Sequence, residues 1–285
     1  MLTSVYSELP PKVLYHYTTQ AGLLGILESQ EIWATHTQYL NDKTEYLHAL
    51  KMVRDRLDVV EKQGDLTLVD KDSLAVMREG LDGIQGLCVC VFSLSKRDDS
   101  LSQWRAYGGG SGGFAVGMSR ETLEAVCNRH SLKMGKCIYK IDEQQQLVEQ
   151  LVDAVLREAL TLRQPGVLWR DEVMKIMTTC MNRYAPLLKH ESFSEEEEWR
   201  LISGPISPFA HGIQFRAGVS TLVPYYRIPL NESKDQKCFP KTVVVGPTPR
   251  PEEAVHAVRL LLVRCGMKEW PINDVVLSKV PYRSW

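Results

Sequence analysis

Short apolar runs and amphipathic stretches follow one another irregularly along this chain. Val13-Leu14-Tyr15-His16-Tyr17, bounded upstream by Pro10-Pro11, has the β-forming character of a strand. Thr18 or Thr19 can then cap a short helix carrying Leu23, Leu24, Ile26 and Leu27, and a strand follows around Ile32-Trp33-Ala34. Asp42 and Glu45 have the spacing of a capping box. The helix they open shows Leu50, Val53, Leu57 and Val60 at helical intervals, with charged residues between them.

Leu87-Cys88-Val89-Cys90-Val91-Phe92 predicts a buried strand, and further strands are expected at Phe114-Ala115-Val116 and Cys137-Ile138-Tyr139. From Glu143 to about Leu188 the rhythm becomes helical, through Leu147, Leu151 and Val155, with a break near Pro165-Gly166. Strand character returns at Trp199-Arg200-Leu201-Ile202, then at 213–216, 221–223 and 242–245. A helix from Glu252 to about Arg264 and a late strand at Val275-Val276-Leu277 close the pattern. Consecutive strands in both halves favour α+β over a doubly wound parallel sheet. No repeat, low-complexity linker or composition boundary divides the chain. It reads as a single domain, 1–285, with a helical insertion at about 143–190.

Composition narrows the function classes. The 285 residues are 44% hydrophobic and 24% charged, an ordinary globular balance. Lys plus Arg numbers 34 against 35 for Asp plus Glu, so no global positive field draws the chain to nucleic acid or an acidic membrane. The longest apolar runs, such as Leu260-Leu261-Leu262-Val263, are far too short for a membrane span, and the N-terminal residues lack the character of a signal peptide. Seven cysteines, an odd number without zinc-ligand spacing, do not form a secreted disulfide framework. Cys88 and Cys90 are expected to face one packing layer as small hydrophobes. These features point to a cytoplasmic protein with no metal and no membrane partner.

Four segments could carry chemistry. Gly108 to Gly113 contain a literal GxGxxG, but a strand-like run follows where a dinucleotide fold needs a helix. The segment is either a flexible connection or a loop covering a ligand. Just before it, Ser93 to Tyr107 crowd hydroxyls, Arg97, Arg105, Trp104 and Tyr107 into a non-periodic stretch, read as a loop. His16, with Tyr17 and Thr18 beside it, has the donors and ring to hold a ribose and stack a base. Finally, Glu195-Glu196-Glu197-Glu198 runs into Trp199. If the run enters a strand directly, alternation puts Glu196 and Glu198 on one face and Trp199 on the other. Two carboxylates in a cleft perturb each other and can serve a cationic transition state. A four-Glu run is otherwise a solvated face.

Ordered landmarks accompany these residues. They are Leu14-Tyr15-His16-Tyr17-Thr18, Trp33, Asn41-Asp42 with Glu45, Phe92-Ser93-Leu94-Ser95, Trp104-Arg105-Ala106-Tyr107, Phe193, and Glu196, Glu198, Trp199 and Arg200. Val245-Gly246-Pro247 and Ser278 to Arg283 follow. In this order they resemble an uncharacterised bacterial family, domain of unknown function twenty-nine seventy-one. The order is also similar to that of the ADP-ribosyltransferases, which carry a His on the first core strand and a catalytic Glu on a late one. Tyr17 stands where the His-Gly-Thr variant has glycine, and the helical insertion is unusual.

The ADP-ribosyltransferase resemblance implies a split or bent, mostly antiparallel sheet with flanking helices. It also implies NAD as substrate. His16, Tyr17, Thr18, Ser95, Trp104, Arg105 and Tyr107 would bind the nucleotide. Tyr17 or Tyr107 would stack on the ring, and Arg105 or Arg97 would hold the pyrophosphate. Glu198, or Glu196, would act in catalysis. The acceptor would be protein, nucleic acid or water, and a self-toxic role in phage defence follows by analogy. Glu198→Gln would then slow the reaction while barely altering stability. The rival reading is a non-catalytic module that binds a nucleotide or a partner. A nuclease is disfavoured, because no Asp/Glu/His set shows a two-metal arrangement.

Overall fold

The computed structural model describes residues 4–40, 45–63, 67–82, 88–109, 112–162, 168–218, 220–233, 237–270 and 274–282. The capping-box residues Asn41 to Thr44, Leu87, the predicted break at Pro165-Gly166 and the centre of the glycine run, Gly110-Ser111, lie outside them. Among the described residues ten strands build one sheet. In chain order they are β1 (Val13–Thr18), β2 (Glu31–His36), β3 (Cys90–Ser95), β4 (Phe114–Ser119), β5 (Lys133–Lys136), β6 (Glu198–Ile202), β7 (Ile213–Ala217), β8 (Leu222–Pro229), β9 (Thr242–Val245) and β10 (Val275–Leu277). Their spatial order is β10-β9-β4-β1-β3-β2-β8-β7, with β6 beside β3 and β5 beside β6. Every pairing is antiparallel except β9 with β10. The architecture is the α+β one expected, with helices on both faces.

Strand alternation sends the apolar residues of this sheet to two sides. Leu14, Ile32, Ala34, Phe92, Leu94, Val116, Trp199 and Leu201 meet Leu23, Ile26 and Leu27 of α1 (Gln20–Ser29) in the larger core. Leu123 and Val126 of α5 (Arg120–His130) and Val258 and Leu262 of α8 (Pro251–Arg264) complete it. Helix α1 begins where Thr19 accepts a hydrogen bond from the Gly22 amide, 3.3 Å. Cys90 is buried in this core and Cys88 packs against it, the shared layer their spacing predicted. Burial pushes the Cys90 thiol up to about 12, the inert behaviour of a packed sulfur.

On the other side, α2 (Glu45–Lys62), α3 (Leu68–Asp82), α6 (Ile141–Thr161) and α7 (Trp169–Tyr184) form a second core of their own. Its members include Leu50, Val53, Leu57, Leu147, Leu151, Val155 and Met177. The helical stretch at 143–190 therefore joins α2 and α3 rather than standing alone. Val89, Val91 and Ile202 of the sheet pack with Leu187 on this side.

Two local expectations are corrected. Cys137-Ile138-Tyr139 is not a strand, because the ladder of β5 with β6 ends at Lys136. The Cys137 amide still donates to the Glu198 carbonyl, 2.9 Å, but the Ile138 amide turns to Leu187, 2.7 Å. Changing partner at each residue prevents a ladder. The stretch from Ser93 to Tyr107 is not one loop either. Ser93 to Ser95 finish β3, and α4 (Leu101–Tyr107) follows, too short for its periodicity to show.

The sheet is split, and the split positions the site. One edge of β3 carries β6 along Val91–Ser95. The other edge is shared by strands that meet it at opposite ends. Tyr15 of β1 lies opposite Ser95, while Thr35 and His36 of β2 lie opposite Val91 and Cys90. Between these points β1 and β2 diverge. The edge at Phe92, Ser93 and Leu94 has no strand partner there among the described residues.

Candidate functional site

A carbonyl left open by a split sheet must find another donor or face water. The Ser93 carbonyl takes the imidazole of His16, whose Nδ1 lies 2.9 Å away. A carbonyl only accepts, so Nδ1 carries the proton and a neutral ring keeps Nε2 as an acceptor. The ring stacks on Phe92, centroids 4.3 Å apart. Burial lowers the His16 pKa, against the opposing effect of the Ser93 bond, so the imidazole is neutral at pH 7.

Beside His16 lie two neighbouring spaces that share His16, Tyr17 and Tyr107 as walls. A narrow slot of about 50 Å³ is bounded by His16, Tyr17, Ser95, Tyr107, Glu196 and Glu198. His16, Tyr17 and Tyr107 also line a larger cleft of about 460 Å³, with Thr18, Thr19, Trp33, Thr35 and Arg216. Sites for drug-sized ligands run roughly 300–1,000 Å³, so the cleft is ligand-sized and the slot admits only a fragment. Of the residues singled out in the sequence, seven therefore line one or both of these spaces: His16, Tyr17, Thr18, Ser95, Tyr107, Glu196 and Glu198.

Three others do not. Trp104 is buried, donates to Asp99 (2.7 Å) and meets Tyr17 edge-on at 4.7 Å, so it props the cleft wall. The Arg105 guanidinium lies over the Tyr282 ring, 5.2 Å from its centroid. Arg97 pairs with Glu197 at 2.8 Å. Neither arginine lines the slot or the cleft, whereas Arg216, from the far hairpin, does. Some lining hydroxyls serve the scaffold. The Tyr17 hydroxyl donates to the Arg97 carbonyl (2.9 Å) and accepts from the Ser100 amide (3.0 Å), and Ser95 donates to the Glu196 carbonyl (2.6 Å).

The described ends of the glycine run lie against Thr18 and Thr19, two residues of the cleft wall. Gly109 adopts φ 69°, and a Cβ there would meet Thr19. A Cβ on Gly113 would come within 2.5 Å of the Gly108 Cα and 2.9 Å of the Thr18 carbonyl, so the two ends of the run can close only as glycine.

The acidic run reaches the slot by a different route from simple alternation. Residues Glu191–Glu196 form a 3₁₀ helix, Glu197 takes a left-handed φ of 41°, and β6 begins only at Glu198. The turn at Glu197 sends that side chain out to Arg97 and brings Glu196 and Glu198 together. Both reach Lys189 at 2.5 Å. Trp199 packs in the opposite layer.

Glu198 is the centre of a buried ionic cluster. Arg200, on the same face of β6, donates through Nε (2.8 Å) and Nη2 (3.1 Å) to its two oxygens. Arg200 also holds both oxygens of Glu45, at 2.8 and 3.0 Å, and donates to the Pro186 carbonyl at 2.6 Å. Glu45, the first residue of α2, thereby neutralises a guanidinium that is 2% exposed. Burial alone would raise the Glu198 carboxyl, but Arg200 and Lys189 overcome it and hold it at about 2. Glu196, with Lys189 as its cationic partner, has its pKa raised by burial. Two carboxylates sharing one lysine are thus driven apart. Glu198 is held in its charged form at neutral pH, and Glu196 is pushed toward its neutral form. Because Glu198 lies buried between two cations, its charge matters to folding, contrary to the expectation for an open polar cleft.

Among the described residues no group of three or more His, Cys, Asp or Glu is placed to hold a metal ion, and no helix is long and apolar enough to cross a membrane.

The fold and site define an α+β protein with a ligand-sized cleft in a torn antiparallel sheet and paired carboxylates at its inner end. Residues 103–201 match the model of a family described as a protein of unknown function, DUF2971, the family its landmarks resemble. That segment runs from α4 to β6 and includes Tyr107, Lys189, Glu196, Glu198 and Arg200. No curated protein and no solved structure matches the chain.

Proposed function

We propose that the cleft binds NAD and that the chain transfers its ADP-ribosyl group to an acceptor or to water. The observation that supports this reading is the convergence of His16, Tyr107, Glu196 and Glu198 on one slot that shares His16 and Tyr107 with a cleft of about 460 Å³. Neutral His16 offers Nε2 to a ribose hydroxyl, and Tyr107 supplies a ring against which nicotinamide can stack. In the reaction the bond from ribose C1′ to the nicotinamide nitrogen breaks, and its electron pair leaves with nicotinamide. A bond from C1′ to the acceptor oxygen forms, and the acceptor proton passes to a base.

The two carboxylates suit those two tasks. An oxocarbenium-like centre needs a carboxylate that stays charged, which Glu198 does. Proton removal needs a carboxylate of higher pKa, which is Glu196. With three carboxylates against Lys189 and Arg200, the ionised cluster keeps a net negative charge facing the slot. The reading carries with it a cytosolic setting, where free thiols persist, and a self-toxic role against phage through loss of NAD.

Nicotinamide release from NAD tests it. Release by the parent, reduced at least a hundredfold in Glu196→Gln and unchanged in the exposed Glu195→Gln, is the expected result. Binding of NAD without release would instead favour the non-catalytic nucleotide-binding module.

A further inference from the structure

We infer that the outer end of the cleft, formed by Trp33 and Arg216, is a subsite for the base and phosphate of a nucleoside monophosphate group. This rests on the proposed use of NAD only in identifying that group as the adenylate half of the dinucleotide. The platform itself is independent of the reaction.

Trp33 lies on β2 with Ile32 and Ala34 in the core, so alternation turns its indole to the cleft side. One face of the indole stacks on Tyr225 of β8, centroids 4.4 Å apart and planes 27° apart. Tyr225 is buried while Trp33 is 43% exposed. A large ring fixed from behind and open in front loses little entropy when a flat ligand covers it. Scaffolding does not require that exposure, since the core-facing neighbours of Trp33 on β2 are fully buried.

Arg216, on β7 beyond β8, lines the same cleft and donates to the Thr35 hydroxyl at 3.4 Å. Among the described residues no carboxylate forms an ion pair with it. The neighbouring pair differs, because Arg227 clamps Glu31 at 2.6 and 2.9 Å and neutralises the carboxylate at this end of the cleft. An aromatic face, a guanidinium available to an anion and a neutralised acid suit a base with its phosphate. The guanidinium fork can bind two phosphate oxygens at once, which a lysine would not do.

The test is calorimetric titration of the full chain with AMP, and with NAD as the second arm. AMP should bind. Trp33→Ala and Arg216→Gln should each weaken it about 10- to 100-fold, the range for loss of one stacked base or one charge-assisted phosphate contact. Trp33→Phe should restore most of the affinity, and Phe215→Ala, on the opposite face of β7, should leave it unchanged. Arg216 and Phe215 are exposed, so those variants should melt with the parent, while Trp33→Ala, which also gives up the stack on Tyr225, is titrated well below its own melting temperature. Failure of AMP to bind, or binding insensitive to both Trp33→Ala and Arg216→Gln, overturns the inference even if NAD is cleaved. Sensitive AMP binding with no release of nicotinamide upholds the subsite and refutes the proposed reaction.

Discussion

Replacing Glu198 by Gln takes one negative charge from between two buried cations and leaves the shape intact. In the parent, Glu198 accepts from Arg200 at 2.8 and 3.1 Å and from Lys189 at 2.5 Å. After the change Arg200 keeps Glu45, and Lys189 keeps Glu196 along with Glu45 at 3.6 Å. Removing one partner of a buried ion pair costs ~3–5 kcal/mol. Gln still offers an oxygen to Arg200, which places the expected loss near the lower bound, about 3 kcal/mol. A chain of this size loses roughly 2–4 °C per kcal/mol, so the melting temperature should fall by roughly 6–12 °C. Differential scanning fluorimetry at pH 7 measures it, with Glu195→Gln as the exposed control. Adding Lys189→Met to Glu198→Gln should recover at least about 1 kcal/mol relative to the sum of the single changes, because contacting charges couple. A Glu198→Gln variant melting within about 2 °C of the parent, against that expected loss, would refute the buried cluster. The rate loss in this variant must be read well below its lowered melting temperature.

Glu196→Gln should behave in the opposite way. It is partly exposed and unfavourably buried as an anion, so stability should change by less than about 1 kcal/mol while the barrier to NAD cleavage rises by about 3 kcal/mol. Acid should unfold the protein in two stages, followed by circular dichroism. His16 has a lowered pKa, so its contribution, full above the ordinary value of 6.5, is lost as pH falls below it. Glu198, lowered from 4.5 to about 2, contributes fully above 4.5 and loses that contribution as pH falls toward 2. Glu196, raised by burial, runs the other way and gives up stability as pH climbs through 4.5. Gly113→Ala should cost about 1–3 kcal/mol, since its Cβ meets the Gly108 Cα and the Thr18 carbonyl, and thermal melting reports it.

The parts of this fold that were legible in the sequence are those whose pattern is local. β1, β4, α2, α6 and α8 have the right period over enough residues, and Thr19 is a cap that can be read from its neighbours. α3 is just as legible, with an apolar stripe and a capping box in which the Asp70 and Thr67 side chains accept from each other's amides at 2.9 and 3.2 Å, yet it was not drawn from the sequence beside the stronger pattern of α2. α4 is too short to show a period. The site was half visible. His16, Tyr107, Glu196 and Glu198 stood out by chemistry, whereas the ionic role of Glu45 was hidden because its partner Arg200 lies 155 positions away. Lys189 is a lone lysine outside any motif, and nothing in its neighbours announces that it is 4% exposed. Arg216 is an ordinary arginine on an edge strand, and only the pairing of β7 with β8 brings it to the cleft.

On an unbroken sheet, a molecule lying on one side can touch only every second residue of each strand. His16 and Trp33 break that parity, since one belongs to the layer of Val116 and Phe92 and the other to the layer of Thr35 and Tyr225. They meet in one cleft only because β1 and β2 part company along β3. The tear is therefore as much a part of the recognition surface as any side chain. Transplanting the same residues onto a continuous sheet would sort them to opposite sides and destroy the cleft without changing a single one of them. Conversely, a segment that added backbone pairing to Phe92–Leu94 would close the cleft by mending the sheet, whatever its own side chains.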